Sequence, residues 1–266
     1  MPVDRTGLLS DCLYNVDEEH PVPSSLGAVT LDQCIDARCE EIAKLDNLSL
    51  MWSGGIDSTL VFYALINHGI SFECVGDHES IAEYPELADQ IMRGQFSGVE
   101  WVDRRNVNRY EYYRSRNLVT GELGDQMVGT DKLIDHYPDK SVRLQDAESK
   151  FCSKDYARYY DAIRKVLGKD DLTVAEFAWA MNFLFKFTHV KKRMKKHFAL
   201  PDHSNLHHLF SSDMFQQWAL QNYTDTVHFD EIADYKMPYK DYIYSHNGDD
   251  HYRINKIKIG SLKPDV

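Results

Sequence analysis

Positive charge and paired cysteines are what this sequence has least of. Its 30 Lys and Arg are outnumbered by 42 Asp and Glu, a formal net charge of -12. That balance argues against a broad nucleic-acid-binding surface, because phosphate backbones are held by clustered cations. The five cysteines (Cys12, Cys34, Cys39, Cys74 and Cys152) form no C-x-x-C pair and no zinc-knuckle spacing. Such an odd, scattered set reads as the reduced thiols of a cytoplasmic protein. No run approaches the ~18 apolar residues of a membrane span, and Met1-Pro2-Val3-Asp4-Arg5 lacks the apolar stretch of a signal peptide. No G-x-x-x-x-G-K-[ST] occurs either, which weighs against γ-phosphoryl transfer on a Walker loop. There is no internal repeat and no low-complexity segment. The expectation is a cytoplasmic protein with no membrane partner and no nucleic acid.

What is present is an ordinary globular composition, 43% hydrophobic and 27% charged over 266 residues, enough to bury a full core unaided. Residues 1–29 read as an irregular segment, broken by Pro21, Pro23 and Gly27. Thr30 then caps a helix with the apolar stripe Leu31, Ile35, Ile42 and Leu45. Leu48–Trp52 reads as a buried strand, followed by a glycine turn and an apolar helix over 59–67 that Gly69 closes. Further strands are expected over 70–75, 99–102 and 118–120. Helices are expected from Pro85 to about Gln95 and around 106–114. Short buried strands alternating with helices mean parallel β-α-β units. Residues 30–130 therefore read as an α/β domain with a doubly wound parallel sheet. Residues 131–266 read as a helical region. Helices are expected over 154–167, from the Thr173-Val174-Ala175-Glu176 capping box onward, and over 213–221. The tail from Tyr235 is polar, basic and weakly patterned.

The chemistry concentrates in Ser53-Gly54-Gly55-Ile56-Asp57-Ser58, between a strand and a helix. The glycines let the backbone approach an anion and turn N–H groups toward it, and a helix N-terminus adds positive dipole there. Ser53 and Ser58 supply hydroxyls. Asp57 makes sense beside phosphates if it holds Mg²⁺. The bland alternative is a strand–helix turn with Gly for geometry and Asp and Ser as caps. This hexapeptide resembles the pyrophosphate-binding loop of the PP-loop ATP pyrophosphatase superfamily, whose sheet is of the HUP, or adenine nucleotide alpha hydrolase-like, type. The resemblance implies ATP and Mg²⁺ as ligands and cleavage between the α and β phosphates. The implied nucleotide-binding residues are Met51, Ser53, Gly54, Gly55, Asp57, Ser58, Val75 and Gly121.

A second segment, Gly121-Glu122-Leu123-Gly124-Asp125-Gln126-Met127-Val128-Gly129, again lies at a strand end, where ligands of parallel sheets bind. It resembles the G-E-G-x-D-E-x-x-G element of asparagine synthetases. Asp125 then falls on a second Mg²⁺ ligand and Glu122 on the carboxylate that transfers a proton. Leu123 departs from a glycine and Gln126 from a glutamate. Near the C-terminus, Tyr252-Arg253-Ile254-Asn255-Lys256-Ile257-Lys258-Ile259-Gly260 resembles the segment that carries the essential lysine of asparagine and β-lactam synthetases. Lys258 fits best, with Lys256 in reserve, against the alternative of an exposed basic tail.

The resemblance implies a ligase that adenylates a small-molecule carboxylate and forms an amide with an amine or ammonia. Residue 2 is Pro2, not the cysteine that leads a glutaminase domain. The nitrogen would come from free ammonia, a separate glutaminase subunit or an amine on the substrate, and a homo-oligomer stays open. Two other functions compete. One is a PP-loop enzyme that modifies a nucleobase or nucleotide; the other is a nucleotide-binding protein without turnover. His203, His207 and His208 read as loop histidines rather than a metal site. Lys191–Lys196 reads as the solvated end of a helix, and Tyr110, Tyr112 and Tyr113 as packing.

Overall fold

The structure, a computed structural model, describes residues 21–23, 27–129, 141–144, 146, 156–198, 200, 205–228 and 231–257. Thr30 caps α1 (Leu31–Ile42) through a capping box: its hydroxyl accepts from the Gln33 N–H, and the Gln33 side chain accepts from the Thr30 N–H. This satisfies two of the N–H groups that a helix start leaves open. The chain then alternates strand and helix: β1 (Leu48–Met51), α2 (Ile56–Asn67), β2 (Phe72–Gly76), α3 (His78–Glu83), α4 (Pro85–Met92), β3 (Val99–Asp103), α5 (Arg109–Arg114), β4 (Asn117–Thr120) and α6 (Gly124–Val128). Pro85 stands in the first turn of α4, where its missing N–H costs nothing.

The sheet has five strands in the order β3-β2-β1-β4-β5, all parallel. The fold is α/β. The register aligns Val102, Val75, Met51, Thr120 and His208 in one row across the carboxyl ends of the strands. Strand order reverses between β1 and β4. A crevice opens at such a switch point because the following loops leave in opposite directions.

The second half differs from its reading as helical. It does hold α7 (Tyr156–Leu167), α8 (Val174–Met181), a π turn (Asn182–Lys186), α9 (Phe187–His197) and α10 (Asp213–Val227). The Thr173–Glu176 capping box opens α8, and Trp179 donates to the Met127 carbonyl at 3.1 Å, which clamps α8 onto α6. Yet β5 (Leu206–His208) completes the sheet from this half, so residues 30–130 do not contain the whole sheet. Three residues with two histidines carry no strand period to read. His207 and His208 are thus strand residues, held to Asn117 and Thr120 on β4, while His203 lies outside the described residues. The described part of the weakly patterned tail, residues 235–257, holds α11 (Met237–Asn247) and α12 (Asp250–Asn255). α11 packs along α2, with His246 against the Tyr63 ring. Its buried residues are Tyr239, Lys240, Tyr242 and Ile243, a mix of tyrosine and lysine that hides the apolar stripe. Among the described residues no helix is long and apolar enough to cross a membrane.

Candidate active site

The two glycine turns leave the sheet from adjacent strands of the aligned row. In the β1–α2 turn Gly54 has φ +74°, and a Cβ there would strike the Ser80 carbonyl and lie 2.8 Å from the Glu83 Cβ. Glycine is required twice over, by backbone conformation and by the closeness of α3. Gly55 caps α2 without a side-chain bond, and the first turn of the helix, Ile56, Asp57 and Ser58, lines the crevice. The hydroxyls of Ser53 and Ser58 lie 3.0 Å apart, and Ser58 Oγ donates to the Gly55 carbonyl at 3.1 Å. This pair braces the turn from inside. An anion is the partner such a bare helix start favours.

The β4–α6 turn packs directly on the first. A Cβ on Gly121 would stand 2.6 Å from the Ser58 nitrogen, and one on Gly124 would stand 2.5 Å from the Asp57 carboxyl carbon. Between them Leu123 adopts φ +80° with its side chain 1% exposed. The place where the sequence departs from glycine is therefore one where the backbone is left-handed, and a leucine bears the strain.

The two turns bring Asp57 and Asp125 together on a residue the sequence reading missed. Lys236 Nζ lies 2.6 Å from Asp57 Oδ1 and 2.6 Å from Asp125 Oδ1, and its side chain is 4% exposed. Tyr235 donates to Asp125 at 2.9 Å. Burial works against the lysine charge, but Asp125 and Asp57 outweigh it and hold the pKa above the usual lysine value. Lys236 has φ +57° and stands at the start of α11. The carbonyl of Lys236 accepts from Tyr239 at 2.9 Å, and the Tyr239 hydroxyl donates toward Gly124 at 3.4 Å. The only sequence signal was Lys236-Met237-Pro238, a charge before a proline at a helix start. Because both carboxylates converge on one ammonium, they present a point where a cation is held. Mg²⁺, which takes one or two carboxylates plus phosphate oxygens, fits that donor set.

Two adjoining clefts open over these turns. One, of about 540 Å³, runs along the ends of β1 and β2 and is lined by Met51, Val75, Asp77, Glu83 and Arg104. The other, of about 340 Å³, is lined by Ser53, Gly55, Asp57, Ser58, Gly121, Asp125 and Lys236. The first is of a size that suits a small ligand. Glu122, Met51 and Ser53 line both, so Glu122 stands at their junction. There Arg193 donates to Glu122 at 3.3 Å. This revises the reading of Lys191–Lys196 as a solvated helix end, since α9 turns Arg193 into the crevice beside Lys186.

Of the two C-terminal lysines, Lys256 is the one described: its Nζ pairs with Glu83 Oε1 at 2.9 Å, and Glu83 lines the larger cleft. Lys258 lies outside the described residues. Of the tyrosines read as packing, Tyr113 is buried edge-on against Phe198 with centroids 5.0 Å apart, Tyr112 is half-buried with its hydroxyl on Glu73, and Tyr110 is exposed beneath Arg114. Compared with known proteins, the chain matches no family model, and no curated protein is similar enough to count as a match.

Proposed function

We propose that this chain is an ATP-dependent, AMP- and pyrophosphate-forming ligase of the PP-loop superfamily. It would be asparagine synthetase-like, with a sheet of the adenine nucleotide alpha hydrolase type. It would adenylate a small-molecule carboxylate and form an amide with an amine or ammonia. One observation carries the reading: Asp57 and Asp125, from the two turns at the switch point, converge on one cation beside an uncapped helix start. Polyphosphate needs both features side by side.

In this reading the nucleoside lies in the larger cleft along Met51 and Val75. The phosphates meet Ser53, Gly54, Gly55 and Ser58, with Gly121 keeping the second turn close. Asp57 and Asp125 hold Mg²⁺, which supplies charge neutralisation on the phosphate oxygens when bound. The substrate carboxylate attacks the α-phosphorus and the α–β anhydride bond breaks, releasing pyrophosphate to the N–H groups of the first turn. An amine then attacks the acyl carbon, and AMP leaves with the bonding pair. Splitting one hard condensation into two steps is the gain of the adenylate. Glu122, at the junction of the clefts, takes the proton from the attacking amine. Among the described residues, Lys236 is the cation set to meet charge on the α-phosphate.

Product analysis tests this reading. With Mg·ATP and a panel of carboxylic acids, the right acid gives AMP and pyrophosphate and supports ATP–pyrophosphate exchange. ADP and phosphate as products would overturn it. Among the described residues the cysteines Cys34, Cys39 and Cys74 are buried, and burial pushes the Cys34 and Cys39 thiols up to about 12, far from the nucleophilic thiolate that nucleobase thiolation uses. Binding of Mg·ATP with no exchange on any acid would favour a nucleotide-binding protein without turnover.

A further inference from the structure

Lys236 stands where the two carboxylates would hold a metal, and one site cannot serve both cations. Its ammonium is 2.6 Å from an oxygen of each aspartate, while Mg²⁺ would need those oxygens at about 2.1 Å. The lysine is 4% exposed where it stands, so an ammonium pushed off the carboxylates loses both of its charged partners at once. A buried charge stripped of its partner is strongly unfavourable. Metal arriving alone must bear that cost. Metal arriving with a polyphosphate brings oxygens that can take over the ammonium, and a flexible four-carbon stem lets the lysine follow them. Tyr235 and the left-handed backbone of Lys236 aim the side chain at this point from a rigid helix start.

We propose that Lys236 occupies the metal position in the nucleotide-free protein and yields it only to metal that comes with nucleotide phosphate, so that it makes metal binding conditional on nucleotide. This rests on the ligase reading for the identity of the nucleotide. By linkage, the coupling is reciprocal: metal and nucleotide each strengthen the other's binding by the same factor.

The probe is Mn²⁺ alone, titrated into the full chain without nucleotide and followed by the electron paramagnetic resonance of the free ion. Wild type should bind it weakly. Lys236→Met should bind it at least about tenfold more tightly, within the usual range of coupling between sites. Adding Asp57→Asn to that variant should remove the gain. A merely structural lysine would not raise metal affinity when deleted. Equal Mn²⁺ affinities in wild type and Lys236→Met would overturn the proposal. If Lys236→Met is too unstable to titrate, wild type decides by itself. Mn²⁺ bound as tightly without α,β-methylene-ATP as with it sinks the inference, and tight binding only with the analogue supports it. Failure of the ligase reading looks different: no form of the protein then binds α,β-methylene-ATP with Mn²⁺ at all.

Discussion

The turns after β1 and β4 carry the same kind of residues on neighbouring strands, yet they solve their backbone problem in opposite ways. Both pass through a left-handed residue. In the first it is Gly54, at φ +74°, pressed against α3 with no room for a Cβ. In the second it is Leu123, at φ +80°, whose side chain points into the core and is 1% exposed. The first turn offers its backbone together with the Asp57 carboxylate to the crevice; the second offers side chains alone, Glu122 and Asp125, and needs only that they be aimed. A turn that works through its side chains can keep a leucine, because burial offsets the strain. A turn that works through bare N–H groups at close quarters cannot.

Removing one of the carboxylates is the severest test of that division. Asp57→Asn or Asp125→Asn should lower turnover by roughly a thousandfold or more, as expected when charge stabilisation of a transition state is lost. ATP–pyrophosphate exchange measures it, and a variant within tenfold of wild type would break the assignment. Gly54→Ala should act on the fold itself. It combines a left-handed alanine with a forced displacement of α3, costing about 2–5 kcal/mol in urea unfolding. Glu122→Gln should separate the two half-reactions. Exchange persists because adenylation needs no base there, while amide formation falls by about a hundredfold, the range of general-base catalysis. Equal losses in both steps would move Glu122 from proton transfer to binding.

Four of the five strands and both turns were legible because their signals are local. A strand's apolar run, a glycine pair and a capping residue all sit within a few positions of what they cause. Thr30, Thr173 and Pro85 start helices for that reason. Lys236 was not legible, because nothing near it in the chain records that Asp57 is 179 residues away. Resemblance drew attention to Lys256 and Lys258 at the tail. The described one of these, Lys256, is engaged with Glu83 instead. Arg193 was hidden differently: in a basic helix end every cation looks solvated, and only the placement of α9 turns one of them onto Glu122. β5 escaped because three residues hold no period, and α11 because its buried residues, Tyr239, Lys240, Tyr242 and Ile243, form no apolar stripe.

The smallest effect is also the sharpest test of the contrast between the two turns. At most buried positions, trimming leucine further, from alanine to glycine, adds to the damage, since glycine loses more backbone freedom on folding. Position 123 should invert that order. Leu123→Ala loses the buried side chain, a loss of about 2–5 kcal/mol at typical core sites, and keeps the left-handed strain. Leu123→Gly loses the same burial but relieves strain of about 1–2 kcal/mol. Glycine should therefore be more stable than alanine here by about 1 kcal/mol, once its larger entropy loss is set against the relief. Urea midpoints of the two variants, with unchanged slopes, read the difference directly. Both should still bind Mg·ATP, because the Leu123 side chain is 1% exposed and belongs to the core. If alanine proves the more stable, the strain at Leu123 is not what sets this turn apart, and the two loops differ only in what packs against them.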